Sequence, residues 1–300
     1  HEVELSDIIR KYGPGGIIFF QGTAEKQAEL TNYYQKISKV PLIIAMDAEW
    51  GLGMRLQHIE KFPYQMTLGA IRNDSLIYRM GKAIAEQCKR IGIHINFAPV
   101  ADINNNPDNP VINYRSFGEN RENVTSKALM YMKGMQDNGV LATLKHFPGH
   151  GDTNTDSHLD LPVITHPRSR LDSIELFPFL NLISEGAGAV MTAHLNLPSL
   201  DSASKLPSTL SSAIINDLLI KGMGFNGLVI TDAMNMKGVT KYFNPGEAEA
   251  RALVAGNDVA EFVTDIDAAV KAIKRMVAAK IISFPEIDLK CRKILAMKYW

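Results

Sequence analysis

Short runs of consecutive apolar residues recur along the chain. Each is followed by a polar loop and then by a stretch whose apolar positions repeat every three or four residues. The runs are GGIIFF at 15–20, PLIIAMDA at 41–48, INFAPVADI at 95–103, VLATLKHF at 140–147, AVMTAHL at 189–195, LVITDA at 228–233 and DVAEFV at 258–263. Between them lie helical patterns such as SLIYRMGKAIAEQCKRIG, ENVTSKALMYMKGMQDNG and SSAIINDLLIKGMGF. Strands that are apolar throughout, rather than alternating, belong to a parallel sheet covered on both faces, with the helices as crossovers. Gly92, Gly139, Gly186, Gly227 and Gly256 fall just ahead of strands, where helices end.

Seven such strands predict a (β/α)8 TIM barrel, in the α/β class, with its first strand upstream of residue 1. The chain itself opens on a helical pattern, ELSDIIRKYG. An open doubly wound sheet is the competing architecture, but no glycine-rich phosphate loop follows any strand. On this reading residues 1–300 form one barrel domain, a fragment of a longer protein.

Composition narrows the function classes. The chain is 46% hydrophobic and 21% charged, with a formal net charge of +0. A neutral balance argues against a nucleic-acid footprint or a basic face for membranes. No apolar run approaches the roughly 18 residues of a membrane helix. Cys88 and Cys291 lie far apart in helical patterns and read as free thiols. The compartment stays open between cytoplasm and cell envelope.

Candidate chemistry gathers where the strands end. Asp47, Asp102, Lys145, His146, His194 and Asp232 each close an apolar run. In a (β/α)8 barrel that rim is where chemistry is built, and a charged group there is costly to bury without a partner. The loop KHFPGHGDTNTDSH, Lys145 to His158, adds three histidines and two aspartates. Asp156 and His158 flank Ser157, so in an extended segment they share a face and suit an acid/base dyad. Metal binding by His146, His150, Asp152, Asp156 and His158 is the rival, although the spacing fits no tight ligand template. Gly149 and Gly151 mark a shaped loop, and mobility of that loop between half-reactions is one expectation for them. Asp232 reads either as a helix N-cap or as a nucleophile. The Asn/Pro-rich stretch PVADINNNPDNPVINYRSFG reads as an ordered rim loop.

Taken together, KHFPGHGDTNTDSHLDLP, AMDAEWGLGMRL, NYRSFGEN, VMTAHLNLP and GLVITDAMNMKGV resemble glycoside hydrolase family 3, in particular its β-N-acetylglucosaminidase branch. The resemblance runs in the family's order over nearly the whole chain. It implies a retaining exo-acting β-N-acetylglucosaminidase that needs no metal or organic cofactor. Its substrate would be a carbohydrate with terminal β-linked N-acetylglucosamine, such as peptidoglycan fragments. By the same resemblance Asp232 is the nucleophile, and His158 with Asp156 the acid/base pair. Asp47, Arg55, Arg115, Lys145 and His146 hold the sugar. Met191 and His194 on AVMTAHL join the candidate contacts, with a core position as the alternative for Met191.

Two departures stand out. DAEWGLGMR replaces the usual D-x-E-G-G-R-V, so Trp50 stands in place of a glycine at the pocket rim. ITDAMNM replaces S-D-D-L-x-M, which leaves one aspartate there. The competing functions are a metal-dependent barrel hydrolase, another family 3 β-glycosidase and a non-catalytic sugar-binding barrel.

Overall fold

The computed structural model describes residues 2–157, 159–202 and 206–300. Six strands form one sheet in sequence order: β1 (Gly16–Ile18), β2 (Ile43–Met46), β3 (Ile95–Asn96), β4 (Leu141–Phe147), β5 (Ala189–Thr192) and β6 (Leu228–Thr231). Every neighbouring pair is parallel. Parallel neighbours require a crossover, and helices Ala24–Ile37, Ser75–Arg90, Arg121–Gln136, Phe177–Ser184 and Ala213–Gly222 lie in the connections.

The apolar runs split by alternation. Ile44 and Met46 of β2 join an outer layer with Ile77, Ile84, Tyr131 and Met132 of the flanking helices. Ile43 and Ala45 face the other way, into a cluster with Ile95, Phe97, Leu141, Ala189, Met191, Leu228 and Ile230, against which Ile18 also packs. One inner cluster fed by all six strands requires the sheet to curl around it. Helix Phe284–Tyr299 closes the N-terminal mouth of this curl. Its Ile294 and Met297 pack on the inner cluster, and Lys293 Nζ reaches the carbonyl of Gly227 at 3.1 Å and the Asp258 carboxylate at 3.0 Å.

The sheet is a curled α/β half-barrel, not the complete eight-stranded barrel. The expected strand at 258–263 contributes a single bridge, Ile230 with Val259. Backbone bonds to β6 are still made: Asp258 N and Val259 N donate to Val229 O at 2.7 and 3.1 Å, and Thr231 N donates to Val259 O at 3.0 Å. Side chains add to them. The Asp258 carboxylate accepts from Val229 N at 2.9 Å, and Thr231 Oγ1 accepts from Glu261 N at 3.0 Å. Phe262 then turns into the left-handed region, at φ 54°, which ends any extended run. Its ring meets Phe20 edge-on at 5.7 Å, so the segment still approaches the end of β1.

Candidate active site

The candidate side chains stand at the C-terminal edge of the curl. Asp47 follows β2 directly, and Glu49 is two residues on, sharing its face. Lys145 and His146 lie near the end of β4, where the register against β5 shifts between Leu144 and Phe147. Such an irregularity re-aims side chains, and both residues reach the mouth.

Lys145 Nζ sits between two carboxylates, 2.8 Å from Asp47 Oδ1 and 2.8 Å from Glu49 Oε1. Arg55 Nη2 donates to Asp47 Oδ2 at 2.7 Å, and its guanidinium lies 4.0 Å over the Phe20 ring. Arg115 grips Glu49 with two donors, Nη2 at 2.7 Å and Nε at 3.1 Å. Arg115 Nη2 also donates to His146 Nε2 at 3.3 Å. On its other side His146 Nδ1 donates to Asp102 Oδ2 at 2.7 Å. Asp102 also accepts from the backbone N–H groups of His146 and His150.

Lys145 is 2% exposed and Glu49 and Asp102 are 0% exposed, so these charges persist only because they are mutually satisfied. Burial alone would raise the Glu49 carboxyl, yet Arg115 and Lys145 outweigh it and hold it far below the usual range. Burial likewise opposes the charge on Lys145, and Asp47 with Glu49 reverses that and raises it. Asp102 is lowered against its burial by His146 and the His150 N–H.

Asp232 follows β6. Its N–H donates to Thr192 O at 2.9 Å, and its Oδ1 accepts from the adjacent Ala233 N at 2.8 Å. The next helix starts at Lys237, so Asp232 caps nothing, and the N-cap alternative falls. Burial pushes its carboxyl up, but His146, His194, the Ala233 N–H and Lys145 together hold it below the ordinary value. It is therefore an anion at neutral pH. Glu261 is the opposite case. Burial, Asp47 and Asp232 push its carboxyl well above the normal range.

The histidine loop is packed rather than loose over its first half. A Cβ at Gly151 would meet Ile103 O at 1.7 Å, and one at Gly149, at φ 126°, would meet Glu175 Cβ at 2.8 Å. Close approach is what Gly151 serves, and Gly149 adds a positive φ to it. The hydroxyls of Ser157 and Thr153 lie 2.9 and 3.0 Å from the two ring nitrogens of His150. Burial and neighbouring His146 push that imidazole down to about 4, so it is neutral. Asp152 accepts from His166 Nε2 at 2.7 Å. With His146 and His150 engaged as well, the described residues hold no group of three His, Cys, Asp or Glu arranged for a metal ion.

Asp156 caps the following turn, its carbonyl accepting from Leu159 N and Asp160 N. His158 lies outside the described residues. Its neighbour Ser157 accepts from Gly238 N at 3.3 Å, which brings the loop against the segment that follows Asp232. Met191 belongs to the inner apolar cluster, at 2% exposure. His194 is fully buried, with Nδ1 at 2.9 Å from Thr209 Oγ1 and Nε2 at 3.1 Å from Ala233 O.

Sequence reasoning passed over Glu49 and Glu261 and placed Asp102 at the chemical edge without a role. The signal for Glu49 was its i, i+2 spacing from Asp47, and for Asp102 its place at the end of an apolar run. Glu261 carried none, because its neighbours come from β2 and β6.

Comparison with known proteins adds an independent line. The profile of the glycosyl hydrolase family 3 N terminal domain matches residues 1–297. Beta-hexosaminidase A of Pseudoalteromonas piscicida is 38% identical over 280 residues, covering 86% of this chain and 47% of that protein. Beta-hexosaminidase LpqI of Mycobacterium tuberculosis (strain ATCC 25618 / H37Rv) is 32% identical over 308 residues, covering 97% and 77%. The family 3 beta-N-acetylglucosaminidase structure from Paenibacillus sp. str. FPU-7 superposes with a TM-score of 0.92 at 40% identity, over 98% of this chain and 58% of that one. The chain spans about half the length of the first curated relatives, 47% and 54%. A curled parallel sheet with an ionised aspartate after β6, facing a lysine–histidine clamp on β4, accords with that profile, and the chain belongs to glycosyl hydrolase family 3.

Proposed function

We propose that this chain carries the catalytic centre of a retaining, exo-acting β-N-acetylglucosaminidase. Asp232 is the nucleophile and His158, oriented by Asp156, the acid/base group. The observation that carries the reading is the Asp232 carboxylate, kept ionised at the strand end while buried charges from β2 and β4 form a clamp beside it. The names borne by the relatives, β-hexosaminidase and β-N-acetylglucosaminidase, support the substrate class.

In the first step Asp232 attacks the anomeric carbon and the leaving oxygen takes a proton from the acid/base group. In the second, water deprotonated by the same group releases the sugar. The transition state is cationic at the ring, and an anion fixed below it stabilises that charge without reorganising. Lys145, Arg115, Arg55 and Asp47 donate to and accept from the sugar hydroxyls. Cell-wall fragments are the proposed source of the substrate. The half-barrel is proposed to be the curled part of a (β/α)8 architecture, a reading that the Phe20–Phe262 contact supports.

The test is a fluorosugar that accumulates the glycosyl-enzyme, followed by peptide mass spectrometry. An adduct on Asp232 is expected. An adduct on another residue, or turnover retained in Asp232→Asn, would overturn the assignment.

A further inference from the structure

Three aromatic rings stand together at the rim. Trp50 and Tyr64 meet edge-on with centroids 4.8 Å apart, Tyr64 and Tyr114 are 4.6 Å apart, and Trp50 and Tyr114 are 6.4 Å apart. Tyr64 is 44% exposed and Tyr114 49%. Trp50 is half-buried beside them, its indole nitrogen enclosed. Two large rings, each left open to water over more than a third of its surface, mark a contact surface rather than a core.

Each ring is fixed through the residue beside it. Trp50 follows Glu49 and Tyr114 precedes Arg115, and those two charges pair at 2.7 Å behind the rings. The turn Asn113–Arg115, with Asn113 at φ 37°, sends Arg115 inward and leaves Tyr114 outside. Tyr64 precedes Gln65, whose side-chain amide bonds Val100 O at 3.0 Å and Val100 N at 3.2 Å, on the run leading to Asp102. The rings are thus the outer surface of the wall whose inner surface is the Lys145–Arg115–His146 clamp.

We propose that Trp50, Tyr64 and Tyr114 form a second carbohydrate subsite, stacking against the pyranose ring next to the one held in the clamp. The inference rests on the proposed substrate class and adds oligosaccharides as its preferred form. A hexosamine ring offers a flat C–H face that aromatic rings cover, while its equatorial hydroxyls stay in water. Continuity with the sugar clamp, rather than apolarity alone, selects a sugar over a protein surface as the occupant. Trp50 is also where the chain departs from D-x-E-G-G-R.

The chain has two tryptophans, Trp50 and Trp300. In an Asp232→Asn, Trp300→Phe background, emission reports Trp50 alone. Titration with N-acetylglucosamine and its β-1,4-linked trimer should show the trimer shifting Trp50 emission and binding about tenfold tighter, the factor that corresponds to 1.4 kcal/mol. Calorimetry on Trp50→Gly and, as the milder surface change, Tyr114→Leu should show that preference lost. Equal affinity for monomer and trimer, or a preference that survives both substitutions, would overturn the platform. A glucose-series trimer runs in parallel. Tighter binding of that trimer with none of the N-acetylated series would keep the platform and reject the substrate class. Binding of neither would reject both.

Discussion

Glu49 is the residue whose loss should be felt most, although it need not touch a reacting atom. It is 0% exposed and sits between Lys145, 2.8 Å away, and Arg115, 2.7 Å away. Glu49→Gln keeps the shape and removes the charge. At 2.8 Å and an effective dielectric near 20, each contact carries about 6 kcal/mol of gross attraction, most of it offset by desolvation. The substitution leaves the other charges in place without their partner, which costs about 3–5 kcal/mol in buried pairs. For a domain this large that is a fall in Tm of about 6–10 °C by calorimetry. Lys145 and Arg115 lose their fixed positions, so kcat/KM on an aryl N-acetyl-β-glucosaminide should fall on the order of a hundredfold. The pH dependence gives a second readout. Glu49 titrates lower in the folded chain than when unfolded, so its stabilisation is complete above the ordinary carboxylate pKa and fades as pH falls. Glu49→Gln should flatten that acid slope. A loss under about 1 kcal/mol, the value of an exposed ion pair, would refute the account of the clamp.

Three other outcomes follow from the geometry. Gly151→Ala places a methyl 1.7 Å from Ile103 O, so the loop must move; a stability loss of about 1–3 kcal/mol in urea titration is expected, with reduced turnover. His150, pushed down to about 4 against an ordinary value near 6.5, binds fewer protons folded than unfolded between those limits. Stability should therefore fall by on the order of 3 kcal/mol as pH drops from about 6.5 to 4, and His150→Asn should remove that component of the slope. Activity should be unchanged after dialysis against a chelator. A loss restored by added divalent metal would return the histidine cluster to the ligand role.

The parallel α/β class was legible because all-apolar runs separated by helical periods admit little else. Sequence also marked the strand ends as the chemical edge, since a charge at the end of an apolar run demands a partner. It overreached at 258–263. That run has the composition of a strand and bonds Val229 and Thr231 of β6, but the left-handed turn at Phe262 cuts it short, a dihedral that no apolar pattern encodes. The glycines of the histidine loop were legible as special positions, yet Gly151 answers a carbonyl from residue 103 rather than local freedom, while Gly149 combines a positive φ with the close Glu175 side chain.

What the sequence determined by itself was which residues could react: the lone aspartate of VITDAM, the lysine and histidine of LKHF, the aspartate after LIIAM. Their types and order are local properties of the chain. What only the tertiary structure decided was which charge neutralises which. Asp47 and Lys145 are 98 residues apart, Glu49 and Arg115 are 66 apart, and each pair meets because the sheet curls. Coulomb energy depends on distance in space and on exclusion of water, and neither quantity exists until the helices have closed the sheet.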